Sequence, residues 1–264
     1  MSTLVEIRPG RRINLSIYKS NPLHPTIFMV HGMGGRGYQW REQVRHLKDR
    51  YTLVVPDLLG QGESEKPWPG QDLYCFEELN KDIQVLFENY ASAQNYVFGH
   101  SYGGALATFL AKEKPNQIQK LILITPVSCQ PFTAIPFVYS LPVPLVELLR
   151  PYLDKAFEKL AFAAADDPSL LKIERQGRAL NPMPIIKALM QGMKSIPRLQ
   201  MNELKIPSLI ISGSLDKLIP VKAIRACYGQ LPQHQLYVLE NAAHMVHLEK
   251  SQEVNRLIDI FLER

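Results

Sequence analysis

The chain has 264 residues, 46% of them hydrophobic and 21% charged, with a formal net charge of +5 at neutral pH. That length supports one large α/β domain with room for an inserted subdomain, and the composition is that of a globular enzyme, not of a disordered or fibrous chain. The mild positive charge is scattered, which argues against a nucleic-acid partner, and the three widely spaced cysteines, Cys75, Cys129 and Cys227, fit neither a disulfide framework nor a zinc site.

Cysteine usage suits a reducing cytoplasm, and the first residues lack the basic-then-apolar pattern of a secretory leader. No transmembrane segment is expected, because the most apolar long stretch, 135–149, is broken by Pro136, Pro142 and Pro144. In chain order, residues 4–8 and 13–18 read as strands joined by a Pro9-Gly10 turn, with Arg8, Arg11 and Arg12 as a solvated hairpin end. Residues 26–30 are solidly apolar, as in a strand buried on both faces. A helix over 38–47, a second buried strand at 52–55 and a Gly-, Pro- and acid-rich loop over 58–72 follow. Phe76, Leu79, Ile83, Leu86, Phe87 and Tyr90 then form the stripe of an amphipathic helix. A strand at 96–98, an Ala- and Leu-rich helix from 102 and a strand at 121–124 continue the alternation. This rhythm predicts an α/β fold: a mostly parallel, eight-stranded sheet with helices on both faces.

From 126 to 201 the rhythm breaks. No strand is predicted there, and proline-punctuated helices are expected over 145–165, 170–180 and 185–196. Strand and helix signals resume at 207–211, 221–228, 236–239 and 253–262. Residues 1–125 and 202–264 therefore read as the core, with 126–201 inserted as a helical cap over the carboxyl edge of the sheet. Open α/β sheets bind ligands at that edge.

The chemistry-bearing motif is Gly99-His100-Ser101-Tyr102-Gly103, a G-x-S-x-G between a strand and a helix. A serine on so tight a turn needs small residues two positions away on each side, and the turn sets its hydroxyl at a helix N-terminus. A serine nucleophile needs a base to take its proton and a carboxylate to orient that base. Asp216, just past the strand at 207–211, and His244, just past the strand at 236–239, sit at the same sheet edge as Ser101. Their chain order, Ser then Asp then His, completes the pattern.

On these residues the chain resembles the α/β-hydrolase superfamily, in its capped, lipase- and esterase-like branch. His31-Gly32-Met33-Gly34-Gly35 resembles the family's HG oxyanion loop, Asp57-Leu58-Leu59-Gly60-Gln61-Gly62-Glu63-Ser64 its D-x-x-G-x-G-x-S turn, and His244 with Glu249 its terminal H-x-x-x-x-E. The chain departs from the pattern at Ala243, where relatives often carry Gly, and at Ser251, where Pro often follows the Glu. The resemblance implies catalytic Ser101, Asp216 and His244, with the backbone N–H groups of Met33 and Tyr102 as oxyanion donors. It implies a serine hydrolase acting on a small-molecule ester or thioester with a largely apolar acyl group, without metal or organic cofactor.

Competing readings attach to several residues. Asp216 also suits a cap for the helix near Val221, and His247 rivals His244 as base but fits better as a pocket-wall or surface residue. His31, His100 and His234 read as structural, Asp57 as the tie of the turn that follows it, and Glu249 as a hold on the histidine loop. Gly32-Met33-Gly34-Gly35-Arg36-Gly37 with Asp57 twenty residues beyond Gly37 mimics a dinucleotide fingerprint. That reading leaves Ser101, Asp216 and His244 unexplained, whereas the hydrolase reading absorbs the glycines and the aspartate as loop structure. The same triad also serves carbon–carbon bond hydrolysis or perhydrolysis, and the fold also serves ligand-binding receptors. The apolar residues of 126–201, among them Phe132, Phe137, Val138, Tyr139, Leu141, Val143, Leu145 and Leu149, suit an acyl pocket, a helical core or a transient contact with lipid.

Overall fold

The structure, a computed structural model, describes residues 2–70, 72–133, 135–163 and 167–263. Met1, Gln71, Ala134, Ala164, Ala165, Asp166 and Arg264, on which parts of the expectations above fall, lie outside the described residues. Strands β1 (Ser2–Arg8), β2 (Arg11–Tyr18), β3 (Thr26–Val30), β4 (Thr52–Pro56), β5 (Asn95–His100), β6 (Ile118–Ile124), β7 (Ser208–Gly213) and β8 (His234–Leu239) form one sheet. Their order is β1-β2-β4-β3-β5-β6-β7-β8. The β1–β2 and β2–β4 pairs are antiparallel, and every other pair is parallel.

The helices are α1 (Arg41–Leu47), α2 (Phe76–Tyr90), α3 (Tyr102–Glu113), α4 (Val143–Ala161), α5 (Pro168–Ala179), α6 (Met183–Gly192), α7 (Val221–Tyr228), α8 (Val246–Glu249) and α9 (Ser251–Leu262). The helix expected over 38–47 begins as a 3₁₀ turn at Gly37–Trp40 before α1. Short α8 was invisible to periodicity, since four residues cannot display a helical stripe.

Continuous apolar runs in the central strands follow from burial on both faces. Phe28, Val30, Val97, Leu121, Leu123 and Ile210 point to one side, against α2 and α3 residues such as Leu79, Ile83 and Leu106. Their neighbours Ile27, Met29, Phe98, Ile122, Ile124 and Ile211 point to the other, against Trp40, Val44, Val254 and Ile258. A period of two along each strand thus supplies two cores, one per face. Between β6 and β7 the described residues hold α4, α5 and α6 and no strand.

The arginines of the hairpin are not solvated as a group. Arg11 is only 4% exposed. Its Nε and Nη2 donate to the two oxygens of buried Asp82 on α2, each at 2.6 Å. Arg8 reaches Asp82 at 2.9 Å and Glu78 at 2.7 Å, and of the three only Arg12 is exposed. A buried guanidinium requires such a partner, and here α2 brings it from 71 residues away.

Candidate active site

Five loops meet at the carboxyl ends of β3, β5, β6, β7 and β8. Ser101 stands between β5 and α3 with φ 51° and ψ −118°, a left-handed conformation that costs energy for any residue with a Cβ. Glycine at the flanking positions is compulsory by contact. A Cβ on Gly99 would lie 2.4 Å from the Gly103 carbonyl oxygen, and one on Gly103 would lie 2.3 Å from that of Val30. The turn is tied down by Ser101 N–H donating to Ile124 O at 2.9 Å and by Val127 N–H donating to Ser101 O at 3.1 Å.

The loop after β3 passes close to this serine. A Cβ on Gly32 would meet His100 Nδ1 at 2.9 Å and Ser101 Cβ at 3.0 Å, so bare backbone lies against Ser101. Met33 and Tyr102 both face the cavity beside Ser101. Tyr102 opens α3, so its amide has no partner within the helix. Two residues that sequence reasoning left out hold the Met33 loop. Gly34 N–H donates to Gln61 Oε1 at 2.6 Å, and Asn181 Nδ2 donates to Gly34 O at 2.6 Å. Gln61 lay within a quoted motif, but nothing in the sequence tied Asn181 to position 34.

His31 is locked as a neutral ring: Nδ1–H donates to Gly32 O at 2.7 Å, and Nε2 accepts from Leu58 N–H at 2.9 Å. Burial lowers its pKa, partly offset by Asp57. The Asp57 carboxylate accepts from Gly37 N–H at 2.5 Å, Glu63 N–H at 2.8 Å and Asn14 Nδ2 at 3.0 Å, so it is occupied by the fold's own donors.

Asp216 and His244 come together. His244 Nδ1 lies 2.8 Å from Asp216 Oδ2. Asp216 Oδ1 accepts from the amides of Leu218 and Ile219, each at 2.8 Å. Those bonds close the turn before α7 and do not cap the helix, whose N-cap residue is Pro220. The two loops touch because Gly213 has no side chain: a Cβ there would lie 2.3 Å from Ala242 O. Glu249 fastens the histidine loop, accepting from Ala243 N–H at 2.8 Å and from Ala163 N–H, just past α4, at 2.7 Å. The backbone carbonyl of His244 accepts from Thr125 Oγ1 and from His100 Nε2, each at 3.1 Å. His100 is thus a clamp between the serine turn and the histidine loop, which its place in the motif did not foretell.

Ser101 and His244 line one cavity of about 490 Å³. Ser101 Oγ has no hydrogen bond among the described residues, and none joins it to His244. The cavity's apolar lining includes Val127, Phe132, Val138, Phe157, Met183 and Met190, and its polar lining includes Gln39, Glu174 and Arg178. Glu174 is itself paired with Arg41 and Gln39, each at 2.9 Å.

His247 differs from expectation. It neither lines the cavity nor reaches the surface, being fully buried with ring centroids 5.1 Å from Trp40 and 4.5 Å from His100. Neither ring nitrogen has a hydrogen-bond partner, and burial, with Arg41 and His244 nearby, pushes its pKa down to about 3. His100, packed against it, is also held well below the usual histidine range by burial.

An eight-stranded, mostly parallel sheet with a strained serine turn and a histidine–aspartate pair at its carboxyl edge defines an α/β-hydrolase. A family model described as alpha/beta hydrolase fold matches residues 25–161 and 175–251, and the chain belongs to that family. Protein ABHD8 of Homo sapiens is 33% identical over 247 residues, covering 90% of this chain and 55% of that protein. The chain therefore spans a little over half the length of the ABHD8 relatives it matches. The uncharacterized hydrolase YugF of Bacillus subtilis is 25% identical over 252 residues, covering 92% of each chain. Among solved structures, a thermophilic esterase from Thermogutta terrifontis has a TM-score of 0.82 at 22% identity, covering 100% of this chain and 97% of that one. An esterase from Exiguobacterium antarcticum has a TM-score of 0.84 at 18% identity, covering 100% of both.

Proposed function

We propose that this chain is a serine hydrolase cleaving a carboxylic ester or thioester with a largely apolar acyl group. The carrying observation is the 2.8 Å bond between His244 Nδ1 and Asp216 Oδ2 on the cavity that also holds the strained Ser101. In this reading Asp216 fixes the imidazole with its proton on Nδ1, leaving Nε2 to accept the Ser101 proton as Oγ attacks the carbonyl carbon. The oxyanion that forms is held by the Met33 and Tyr102 amides, each of which contributes roughly 3 kcal/mol to the transition state. His244 then returns the proton to the departing alcohol or thiol, and water releases the acyl group by the same steps in reverse order of partners. The preponderance of aliphatic, aromatic and methionine side chains on the wall supports an apolar acyl group. Residues 126–201 act as a cap in this account, since α4, α5 and α6 each contribute to that wall.

A fluorophosphonate probe tests the assignment. Labelling is expected in the wild type, absent in Ser101→Ala and severely slowed in His244→Ala. Retained labelling in Ser101→Ala refutes the nucleophile, and labelling without turnover of p-nitrophenyl esters of any chain length refutes the ester substrate.

A further inference from the structure

Five of the eleven large hydrophobic side chains exposed among the described residues lie between Phe137 and Leu160, on α4 and the turn before it. Phe137 is 77% exposed, Leu148 72% and Tyr152 74%. At about 100° per residue, Leu145, Leu148, Tyr152, Lys155, Ala156 and Lys159 fall within an arc of about 100°. All six are exposed. The acids of α4, Glu147, Asp154 and Glu158, fall in an arc about 40° wide roughly 130° away by the same spacing. There they meet arginines: Glu158 bonds Arg175 at 2.7 Å and also Arg178, Asp154 lies 3.6 Å from Arg178, and Glu147 lies 3.6 Å from Arg150. Lys155 and Lys159 form no ion pair among the described residues. The outer face of α4 is therefore apolar with two free cations and no acid. The inner side of the same helix, at Leu153 and Phe157, walls the cavity, which Ala156 and Leu160 border as well.

We propose that the outer face of α4, with Phe137, docks on an anionic lipid surface. Apolar side chains exposed at this density cost solubility unless something covers them, and the unpaired lysines fit a negatively charged sheet of headgroups. No helix among the described residues is long and apolar enough to cross a membrane, so this contact would be peripheral. The further point that docking brings the cavity beside lipid substrates rests on the serine-hydrolase reading; the docking itself does not.

The test uses the full chain carrying Ser101→Ala, so that binding is scored without turnover, and sedimentation with vesicles of phosphatidylcholine alone or mixed with phosphatidylserine. Binding is expected to the mixed vesicles and to weaken with salt. Leu148→Asp with Tyr152→Asp should lower partitioning about tenfold or more, since each residue would otherwise bury apolar area. Lys155→Glu with Lys159→Glu should abolish the preference for phosphatidylserine. Both pairs lie on exposed positions, and unchanged melting temperatures verify that they fold. Equal binding of the apolar double variant, or equal affinity for both vesicle types, overturns the proposal. So does a wild-type dimer that the apolar variant dissociates, which would assign the face to a second copy. Fluorophosphonate labelling of the Ser101 chain is scored separately, so failure of the hydrolase reading leaves the vesicle result standing, and the reverse.

Discussion

His247 makes the stability of this protein depend on pH well above the carboxylate range. Its ring is enclosed by Trp40 and His100, with both nitrogens unsatisfied, and its pKa is pushed down from 6.5 to about 3. In the unfolded chain the same residue takes up a proton below its ordinary pKa, whereas the folded chain does not. The unfolded state thus binds more protons between those values, and stability falls as pH falls. Between about pH 7.5 and about pH 5 this one residue removes about 2 kcal/mol, at about 1.4 kcal/mol per pH unit below its unfolded pKa. For 264 residues that equals a fall of about 4 °C in melting temperature. His247→Phe removes the titration and the unsatisfied nitrogens while keeping a flat ring against Trp40. Urea unfolding across this pH range should show wild type losing about 2 kcal/mol more than the variant. Burial, the largest cause that lowers the pKa of His100 and of His31, acts in both proteins, while the substitution also removes the smaller push that His247 exerts on His100. Parallel curves for wild type and His247→Phe would refute the argument.

Two further substitutions probe contacts between distant segments. Asp82→Ala strips Arg11 of its carboxylate, and an uncompensated buried charge costs about 3–5 kcal/mol, read by urea unfolding. The paired change Arg11→Met with Asp82→Leu should recover most of that loss, and a double variant as unstable as the single one would contradict the assignment of the cost to the stranded charge. His100→Phe deletes one of the two donors to the His244 carbonyl, leaving Thr125. On the serine-hydrolase reading it should lower kcat by ten- to a hundredfold with little change in KM, as expected for misplacement of a catalytic base. A raised KM at constant kcat would show instead that His100 acts on substrate binding.

What could be read from the sequence was whatever local chemistry dictates. Strand and helix order was legible because a two-sided sheet demands uninterrupted apolar runs, as at Thr26–Val30, while its covering helices demand stripes, as in Phe76–Tyr90. Gly99 and Gly103 were legible around Ser101 because a strained turn excludes a Cβ at both places. Asp216 and His244 were legible as strand-end positions, and their hydrogen bond follows from the parallel pairing of β7 with β8. What could not be read depends on which surface a side chain meets. Arg11 looked solvated because its partner, Asp82, belongs to a helix whose docking no local pattern reveals. His247 looked like a pocket-wall or surface residue because Trp40 and His100, which enclose it, come from the 3₁₀ turn before α1 and from the end of β5, both distant in the chain. Phe132 and Phe137 are alike in sequence, yet one lines the cavity and the other faces outward. Hydrophobic patterning specifies that a proline-broken segment forms helices with an apolar side. It does not specify that α4 has two such sides, and that excess over what a single core can bury is the physical reason to look for a second partner on its outer face.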